Sequence, residues 1–291
     1  MTTAALALVL ASACMHATWN YLVKRSSDKS LFFWAMAAVG LIGLAVPGVA
    51  FAVFDGFTWT MLGFALISVC FHASYAVTLT RSYRLGDLSS VYPISRGMGP
   101  ALVPVLAVLL LGESISAVAV IGIVLVVAGI YATHIDSRFL RDFSHPLRAL
   151  AAPGTRIAFL TGVIIAAYTI SDKAALNHDL NPVSLSTFDT FGNVLGLLPA
   201  LATAGAAALN CEWRRDWPRI VAAGILAPVG YLLVLVALTT TRVSYVAPSR
   251  EIGIVLGTAM GVLLLGEGYG LSRIWGSAFV VAGVIVIALA P

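Results

Sequence analysis

The chain has 291 residues, of which 60% are hydrophobic and 10% are charged, and its formal net charge is +4. Soluble domains carry about 25% charged residues, so a water-soluble fold of this length is excluded. The basic residues lie in short connectors and form no continuous basic face, which argues against nucleic-acid binding. The composition predicts an all-α integral membrane protein.

Apolar runs of about 20 residues, the length that crosses a bilayer as a helix, recur along the whole chain. The first run has no basic residue before it, so we predict that it is a retained helix and not a signal peptide. We predict ten transmembrane helices, near residues 3–23, 31–54, 59–81, 88–111, 115–134, 156–176, 183–207, 218–239, 243–265 and 271–290.

Predicted helix one places His16, Trp19 and Asn20 at spacings of three and four, on a single face. Polar groups facing lipid would lack hydrogen-bond partners, so this face must point into the protein. One interpretation is a cavity wall, in which Trp19 packs on a substrate and His16 exchanges protons near neutral pH. The other is a hydrogen-bonded contact between helices.

Predicted helix three carries His72 and Tyr75, three residues apart and therefore in the same internal environment. Tyr75 is a candidate substrate contact and His72 a candidate proton carrier. The alternative for His72 is a histidine that is simply hydrogen-bonded within the core.

Predicted helix four carries Arg96 well inside an apolar segment, roughly 12 Å from its start and close to the middle of a hydrocarbon layer of about 30 Å. A guanidinium at that depth requires a partner or a water-filled cavity and is a candidate functional group. The helix ends at Gly112, for which we predict a left-handed turn. We predict that Glu113 then favours the positive end of the following helix.

The sequence of residues 88–113 returns as residues 243–267 after a shift of 154 positions, which superimposes Arg96 on Arg250 and the motif LLLGE on a second LLLGE. Two copies with five helices each must enter the membrane from opposite faces. We therefore predict two inverted five-helix repeats, at 1–134 and 155–291, joined by a cytoplasmic linker at 135–154. Folds of this kind bind substrate near the midplane, between the repeats.

Predicted helix six has Tyr168, Ser171 and Asp172 on one face, with Lys173 next in sequence. Asp172 is a candidate proton carrier; the alternative is an interfacial anchor beside a snorkelling lysine. Tyr168 is a candidate cavity residue, as is Tyr231 in predicted helix eight.

Predicted helix nine holds Arg250 and Glu251 side by side, where helical neighbours diverge by about 100° and cannot pair with each other. Either Glu251 pairs with Arg96 between the repeats, or a substrate matches Arg250 while Glu251 titrates. Because a buried ion pair contributes little stability, we favour a functional role for Arg96, Arg250 and Glu251. The alternative is a structural charge network.

Lys and Arg cluster in the connectors that follow odd-numbered helices. The positive-inside rule then places these connectors in the cytoplasm and both termini outside.

The duplication, both LLLGE motifs, the VVAG pairs at 126–129 and 280–283 and the pattern HATWNYLVK at 16–24 resemble the drug/metabolite transporter superfamily, specifically its ten-helix members with two EamA domains. The resemblance implies a secondary transporter of small metabolites, often an exporter. It also implies a central cavity lined largely by helices one, three, four, six, eight and nine. Relatives usually have both termini in the cytoplasm, so sidedness stays open between the two lines of reasoning.

We predict a multi-pass transporter of the inner (cytoplasmic) membrane, monomeric or homodimeric, that moves a small anionic or zwitterionic metabolite such as an amino acid, carboxylate or phosphonate. Guanidinium groups suit carboxylates and phosphate-like groups, and a proton is the candidate coupling ion. An exporter of hydrophobic or cationic compounds is the alternative. No nucleotide-binding loop, metal motif or nucleophile and base set is present, so the sequence predicts no cofactor, no metal and no enzyme activity.

Overall fold

The computed structural model describes residues 1–56, 58–85, 88–133, 152–265 and 271–291. Helices occupy most of these residues, and no strand occurs within them. The helices are α1 Thr3–Arg25, α2 Lys29–Phe54, α3 Trp59–Leu85, α4 Leu88–Leu111, α5 Ala117–Ala132, α6 Pro153–Asn177, α7 Pro182–Thr240, α8 Val243–Ser249, α9 Ile252–Leu265 and α10 Leu271–Leu289.

The outer surface of the bundle is strongly apolar. Large hydrophobic side chains such as Ile42, Val46 and Phe54 are more than three-quarters exposed, which suits contact with lipid and not with water. In the described part of the chain, seven helices are long and apolar enough to cross a membrane. The prediction of an all-α integral membrane protein is confirmed, whereas the count of ten spans stays a prediction.

Helix α7 is 59 residues long, which at 1.5 Å per residue is about three times the thickness of the hydrocarbon layer. Its backbone leaves helical geometry at Gly205, with φ of 83°, and at Asp216. A positive φ is readily adopted by glycine, and the proline at 218 suits a helix start. The helical parts at 182–204 and 217–240 correspond to predicted helices seven and eight.

The predicted continuous helix at 243–265 is wrong, because the chain breaks between α8 and α9 at Arg250 and Glu251. Pro248 lies inside α8 and has no amide hydrogen to donate. Around the break, the amides of residues 251, 253 and 254 donate to carbonyls three residues earlier, at 2.9–3.1 Å. The two charged residues therefore sit at a tight discontinuity, a feature that transporters use at substrate sites.

Glycines bring α5 and α10 into close antiparallel contact. A Cβ on Gly122 would lie 2.8 Å from the carbonyl oxygen of Gly283, and one on Gly129 would lie 2.7 Å from that of Gly276. The sequence shift of 154 maps Gly122 onto Gly276 and Gly129 onto Gly283. The contact is thus reciprocal. Gly122 meets Gly283, the counterpart of Gly129, and Gly129 meets Gly276, the counterpart of Gly122.

Glu113 joins the two halves of the chain at the start of α8. Its carboxylate accepts hydrogen bonds from the amides of Val243 at 2.8 Å and Ser244 at 3.0 Å, and from the Ser244 hydroxyl at 2.6 Å. Gly112 has a φ of 67°, as predicted for the end of α4. The prediction that Glu113 favours the next helix is wrong, because Ser116 caps α5 and the glutamate caps a helix of the other half.

The predicted linker at 135–154 lies outside the described residues except for its last three, where α6 begins at Pro153. The second LLLGE motif ends at Glu267, which is also outside them.

Candidate functional site

A cavity lies in the middle of the bundle, between α1, α2, α3, α4, α6, α7 and the break after α8. Its volume is about 100 Å³, counted as the space open to the centres of water molecules. On the same measure, one buried water needs roughly 10–15 Å³. It therefore has room for several waters or a small solute. Eight of the predicted site residues line it, namely His16, Trp19, His72, Tyr75, Arg96, Tyr168, Tyr231 and Arg250.

Three predicted site residues do not line the cavity. Asn20 donates its side-chain amide to the carbonyl of His16 within α1, at 2.7 Å. Asp172 is fully buried and accepts a hydrogen bond of 2.5 Å from the hydroxyl of Tyr231. Glu251 lies beside Arg96. Asp172 and Glu251 thus contact residues of the lining, Tyr231 and Arg96, without lining the cavity themselves. The side-chain amide of Asn20 bonds to its own helix.

The two arginines have different surroundings although both line the cavity. Arg96 forms an ion pair with Glu251, with 3.5 Å between Nη2 and Oε1. The guanidinium carbon of Arg250 lies 5.2 Å from the ring centroid of Tyr231, which is a cation–π distance. Among the described residues, no carboxylate lies within 4 Å of the Arg250 guanidinium.

Aromatic rings cover another part of the wall, around Tyr168. Its ring centroid lies 4.4 Å from that of His72, 5.8 Å from that of Tyr75 and 6.3 Å from that of Tyr231. On the side of α1, the rings of His16 and Trp19 meet edge to face at 4.8 Å. Such rings can pack on apolar or planar parts of a solute.

Asp189, on the first part of α7, was missed by the sequence analysis. It is 2% exposed, lines the cavity and accepts a hydrogen bond from the hydroxyl of Ser68. Its Oδ1 also lies 3.3 Å from Nδ1 of His72. The signal for it was present, since it is a charged residue inside a predicted span, but the helices expected to line the cavity did not include this one.

His72, Asp172 and Asp189 come together from three helices. One donor atom from each lies within 4.8 Å of the others, and all three residues are buried. In the described part of the chain, this is the group of side chains that could hold a metal ion, and no such group was predicted from the sequence. The cavity wall therefore has a basic part with two arginines and an acidic part with Asp189, behind which Asp172 lies. Tyr231 contacts both Asp172 and Arg250.

Residues 153–289 match the EamA-like transporter family model, and residues 48–126 match that of the Small Multidrug Resistance protein family. The second half of the chain is thus similar to the EamA-like transporters of the drug/metabolite transporter superfamily. This confirms the resemblance seen in the sequence, and the match to the second of these models lies within the first half of the chain. Among curated proteins, none matches significantly in sequence.

The fold of this protein is shared with a solved structure described only as a crystal structure of a protein. The two are 15% identical, the alignment covers 99% of each chain, and the TM-score is 0.73. At that identity the likeness concerns the fold alone. The EamA-like family is a family of membrane transporters, so the protein is a multi-pass transporter of small molecules.

Proposed function

We propose that this protein is a secondary active transporter of a small anionic or zwitterionic metabolite, such as an amino acid, a carboxylate or a phosphonate. The observation that carries the proposal is Arg250, which lines the cavity and has no carboxylate within 4 Å in the described chain. A guanidinium held in such a place favours an anion that arrives from the cavity. The carboxylate or phosphonate of the substrate would then pair with Arg250, as Glu251 pairs with Arg96.

The acidic part of the wall fits the zwitterionic case. Asp189 lines the cavity, and its Oδ2 has no hydrogen-bond partner among the residues that the structure describes. A substrate ammonium near Asp189 and a substrate carboxylate on Arg250 would satisfy both ends at once. Trp19, Tyr75 and Tyr168 would then contact the body of the substrate.

Alternating access follows from inverted repeats of five helices, residues 1–134 and 155–291. The reciprocal glycine contact between α5 and α10 supports this arrangement, because a two-fold axis requires each position to meet the image of the other. Two further contacts support it. Helix α4 packs on α6, and α9 packs on α1; the same shift relates α4 to α9 and α1 to α6, so these two contacts are equivalent. The halves would rock about the cavity between them.

The proposed coupling ion is a proton, and Glu251 is the best placed of its predicted carriers. Its Oε2 is buried and has no hydrogen-bond partner in the described part of the chain, and protonation would remove the charge that pairs with Arg96. The predictions for His16, His72 and Asp172 stand as made from the sequence. We place the protein in the inner membrane, as a monomer or homodimer.

The alternative, an exporter of hydrophobic or cationic compounds, finds support in the ring-lined wall. It requires, however, that the arginines be neutralised inside the protein wall. Arg96 has Glu251 as a partner, but Arg250 lines the cavity with no carboxylate within 4 Å in the described chain. The anionic or zwitterionic substrate is therefore the better proposal.

Thermal unfolding of the purified protein in detergent, with acids, zwitterions and lipophilic cations added in turn, tests the proposal. A ligand at 100 times its dissociation constant stabilises the fold by about 2.7 kcal/mol. We expect a shift with one class of acid or zwitterion that is lost in Arg250→Gln. Arg156→Gln, which changes an exposed arginine at the start of α6, is the matched control and should keep the shift.

Uptake by vesicles that contain the protein then separates binding from transport. We expect Arg250→Gln to abolish uptake of the stabilising compound and Arg156→Gln to leave it unchanged. Shifts confined to lipophilic cations, or uptake of every tested anion that is indifferent to Arg250→Gln, would overturn the proposal.

A further inference from the structure

The buried group formed by His72 of α3, Asp172 of α6 and Asp189 of α7 has a use beyond contact with an organic substrate. These side chains are 5%, 0% and 2% exposed, and their donor atoms lie within 4.8 Å of one another. We propose that they bind one divalent transition-metal ion beside the cavity. The site is formed by His72, Asp172 and Asp189, and it is distinct from the arginine part of the wall.

Two carboxylate oxygens point to a missing cation. Asp172 Oδ1 and Asp189 Oδ2 are buried and have no hydrogen-bond partner within the described chain. Polar atoms buried in this way cost free energy, and native proteins nearly always satisfy them. Two carboxylates this close in a buried site also repel each other unless a positive charge lies between them. A metal ion bound by both oxygens satisfies each of these requirements, and it would occupy the position at Asp189 that a substrate ammonium would otherwise take.

The remaining atoms of the same side chains are already held. Tyr231 donates to Asp172 Oδ2 at 2.5 Å, and Ser68 donates to Asp189 Oδ1. Nδ1 of His72 lies 3.1 Å from the carbonyl oxygen of Ser68. A carbonyl can only accept, so Nδ1 carries the hydrogen and the lone pair belongs to Nε2.

This pattern is the one that orients metal ligands in proteins. A ligating histidine donates its other ring nitrogen to a carbonyl or carboxylate, and the ligating carboxylates accept hydrogen bonds at their second oxygen. Each of the three side chains here has such a support, and each retains one donor atom. If His72 were only a hydrogen-bonded core histidine, its presence would not explain why Asp172 and Asp189 each keep one oxygen without a partner in the described chain.

The donor set selects the kind of ion. Magnesium and calcium prefer sites made of oxygen alone, whereas imidazole suits zinc, cobalt, nickel and iron. Three protein ligands leave further coordination positions open. Because His72 and Asp189 also line the cavity, water or a solute atom can fill those positions.

Cobalt(II) titration of the full-length protein tests the site, with the protein purified through a tag that contains no histidine and stripped of metal. Visible absorption and metal content should show one Co²⁺ bound per chain, displaced by Zn²⁺ and not by Mg²⁺. Asp189→Asn and His72→Gln should each weaken binding at least ten-fold. Ser68→Ala, which keeps all three ligands, should weaken it about 10- to 100-fold by releasing Asp189.

His178→Gln is the matched control, because His178 and Asp179 are both exposed at the end of α6 and could bind metal adventitiously. This variant should bind Co²⁺ as the unaltered chain does. Binding that is lost in His178→Gln, or that survives in both Asp189→Asn and Ser68→Ala, overturns the proposal. The absence of any saturable Co²⁺ binding by the folded protein overturns it as well. None of these results depends on which organic substrate is transported.

Discussion

The guanidinium of Arg96 and the carboxylate of Glu251 form a buried ion pair between α4 and the break that follows α8, with 3.5 Å between Nη2 and Oε1. Arg250 is the next residue to Glu251, and its guanidinium lies over the ring of Tyr231 instead. Successive positions of a helical turn diverge by about 100°, so one segment can present a carboxylate to one arginine and a second arginine to the cavity.

Neutralising Glu251 should therefore destabilise the protein through Arg96. We expect Glu251→Gln to lower the free energy of unfolding by about 3 kcal/mol, since a buried guanidinium loses the charge opposite it. Thermal unfolding in detergent measures the loss. The double variant Arg96→Gln, Glu251→Gln should recover part of the stability, because it leaves no buried charge at this position. Strictly additive effects of the two substitutions would contradict a direct interaction.

Much of the helical framework was predictable from apolar runs alone, because a bilayer fixes the length of a spanning helix. The interruptions within the helices were not predictable in this way. Pro248 was visible in the sequence, yet a proline kinks some membrane helices and interrupts others, depending on how neighbouring groups satisfy the backbone. The partner of Glu113 likewise lies 130 residues away, and no local pattern indicates it.

The cavity lining was predictable where polar residues repeat on one helix face, as with His16 and Trp19. Asp189 shows where this reasoning fails. A lone acidic residue in an apolar segment shows that a partner must exist, but the choice among Ser68, His72 and other groups depends on the tertiary arrangement of α3, α6 and α7. The sequence therefore indicates the need for a partner, and the fold supplies its identity.

Glu113 should stabilise the start of α8 from the other half of the chain. A lost side-chain cap costs about 0.5–2 kcal/mol. We expect Glu113→Ala to lose both backbone contacts and Glu113→Gln to keep one acceptor, so the alanine variant should unfold at the lower temperature. Thr2→Ala, which removes the side-chain cap of α1 within one half, is a useful comparison.

A transport assay extends the comparison of the two cap variants from stability to function. Because α8 leads directly to Arg250, loss of the Glu113 cap should also slow uptake, whereas loss of the Thr2 cap should affect stability alone. Equal effects of Glu113→Ala and Thr2→Ala on uptake would show that the Glu113 cap has no special influence on the break.

Arg250 should depend on its planar group and not on charge alone. We expect Arg250→Lys to bind the stabilising anion at least ten-fold more weakly, because an ammonium cannot form two parallel hydrogen bonds to a carboxylate. Its stability without ligand should change little, since no carboxylate within 4 Å in the described chain loses a partner. Titration of the thermal shift measures both quantities. Equal affinity of the lysine variant would indicate a point-charge contact.

The contact between α5 and α10 should tolerate no added side-chain atom. In Gly129→Ala the new Cβ would lie 2.7 Å from the carbonyl oxygen of Gly276, so the helices must separate. Overpacking of this kind costs about 1–3 kcal/mol, measured as a lower temperature of unfolding. Gly43→Ala in α2 is the control, because a Cβ there would meet no atom of the described residues within 4 Å.

The same contact makes a prediction about two substitutions together. Gly276→Ala alone should cost at least as much as Gly129→Ala, since its Cβ would collide with the amide nitrogen of Thr133 and lie 2.7 Å from the Gly129 carbonyl oxygen. Once the helices have moved apart for the first Cβ, the second fits at little further cost. The double variant should therefore lose clearly less stability than the sum of the single variants. A fully additive double variant would mean that the two glycines do not share one contact, and it would remove the strongest support for the two-fold relation between the halves.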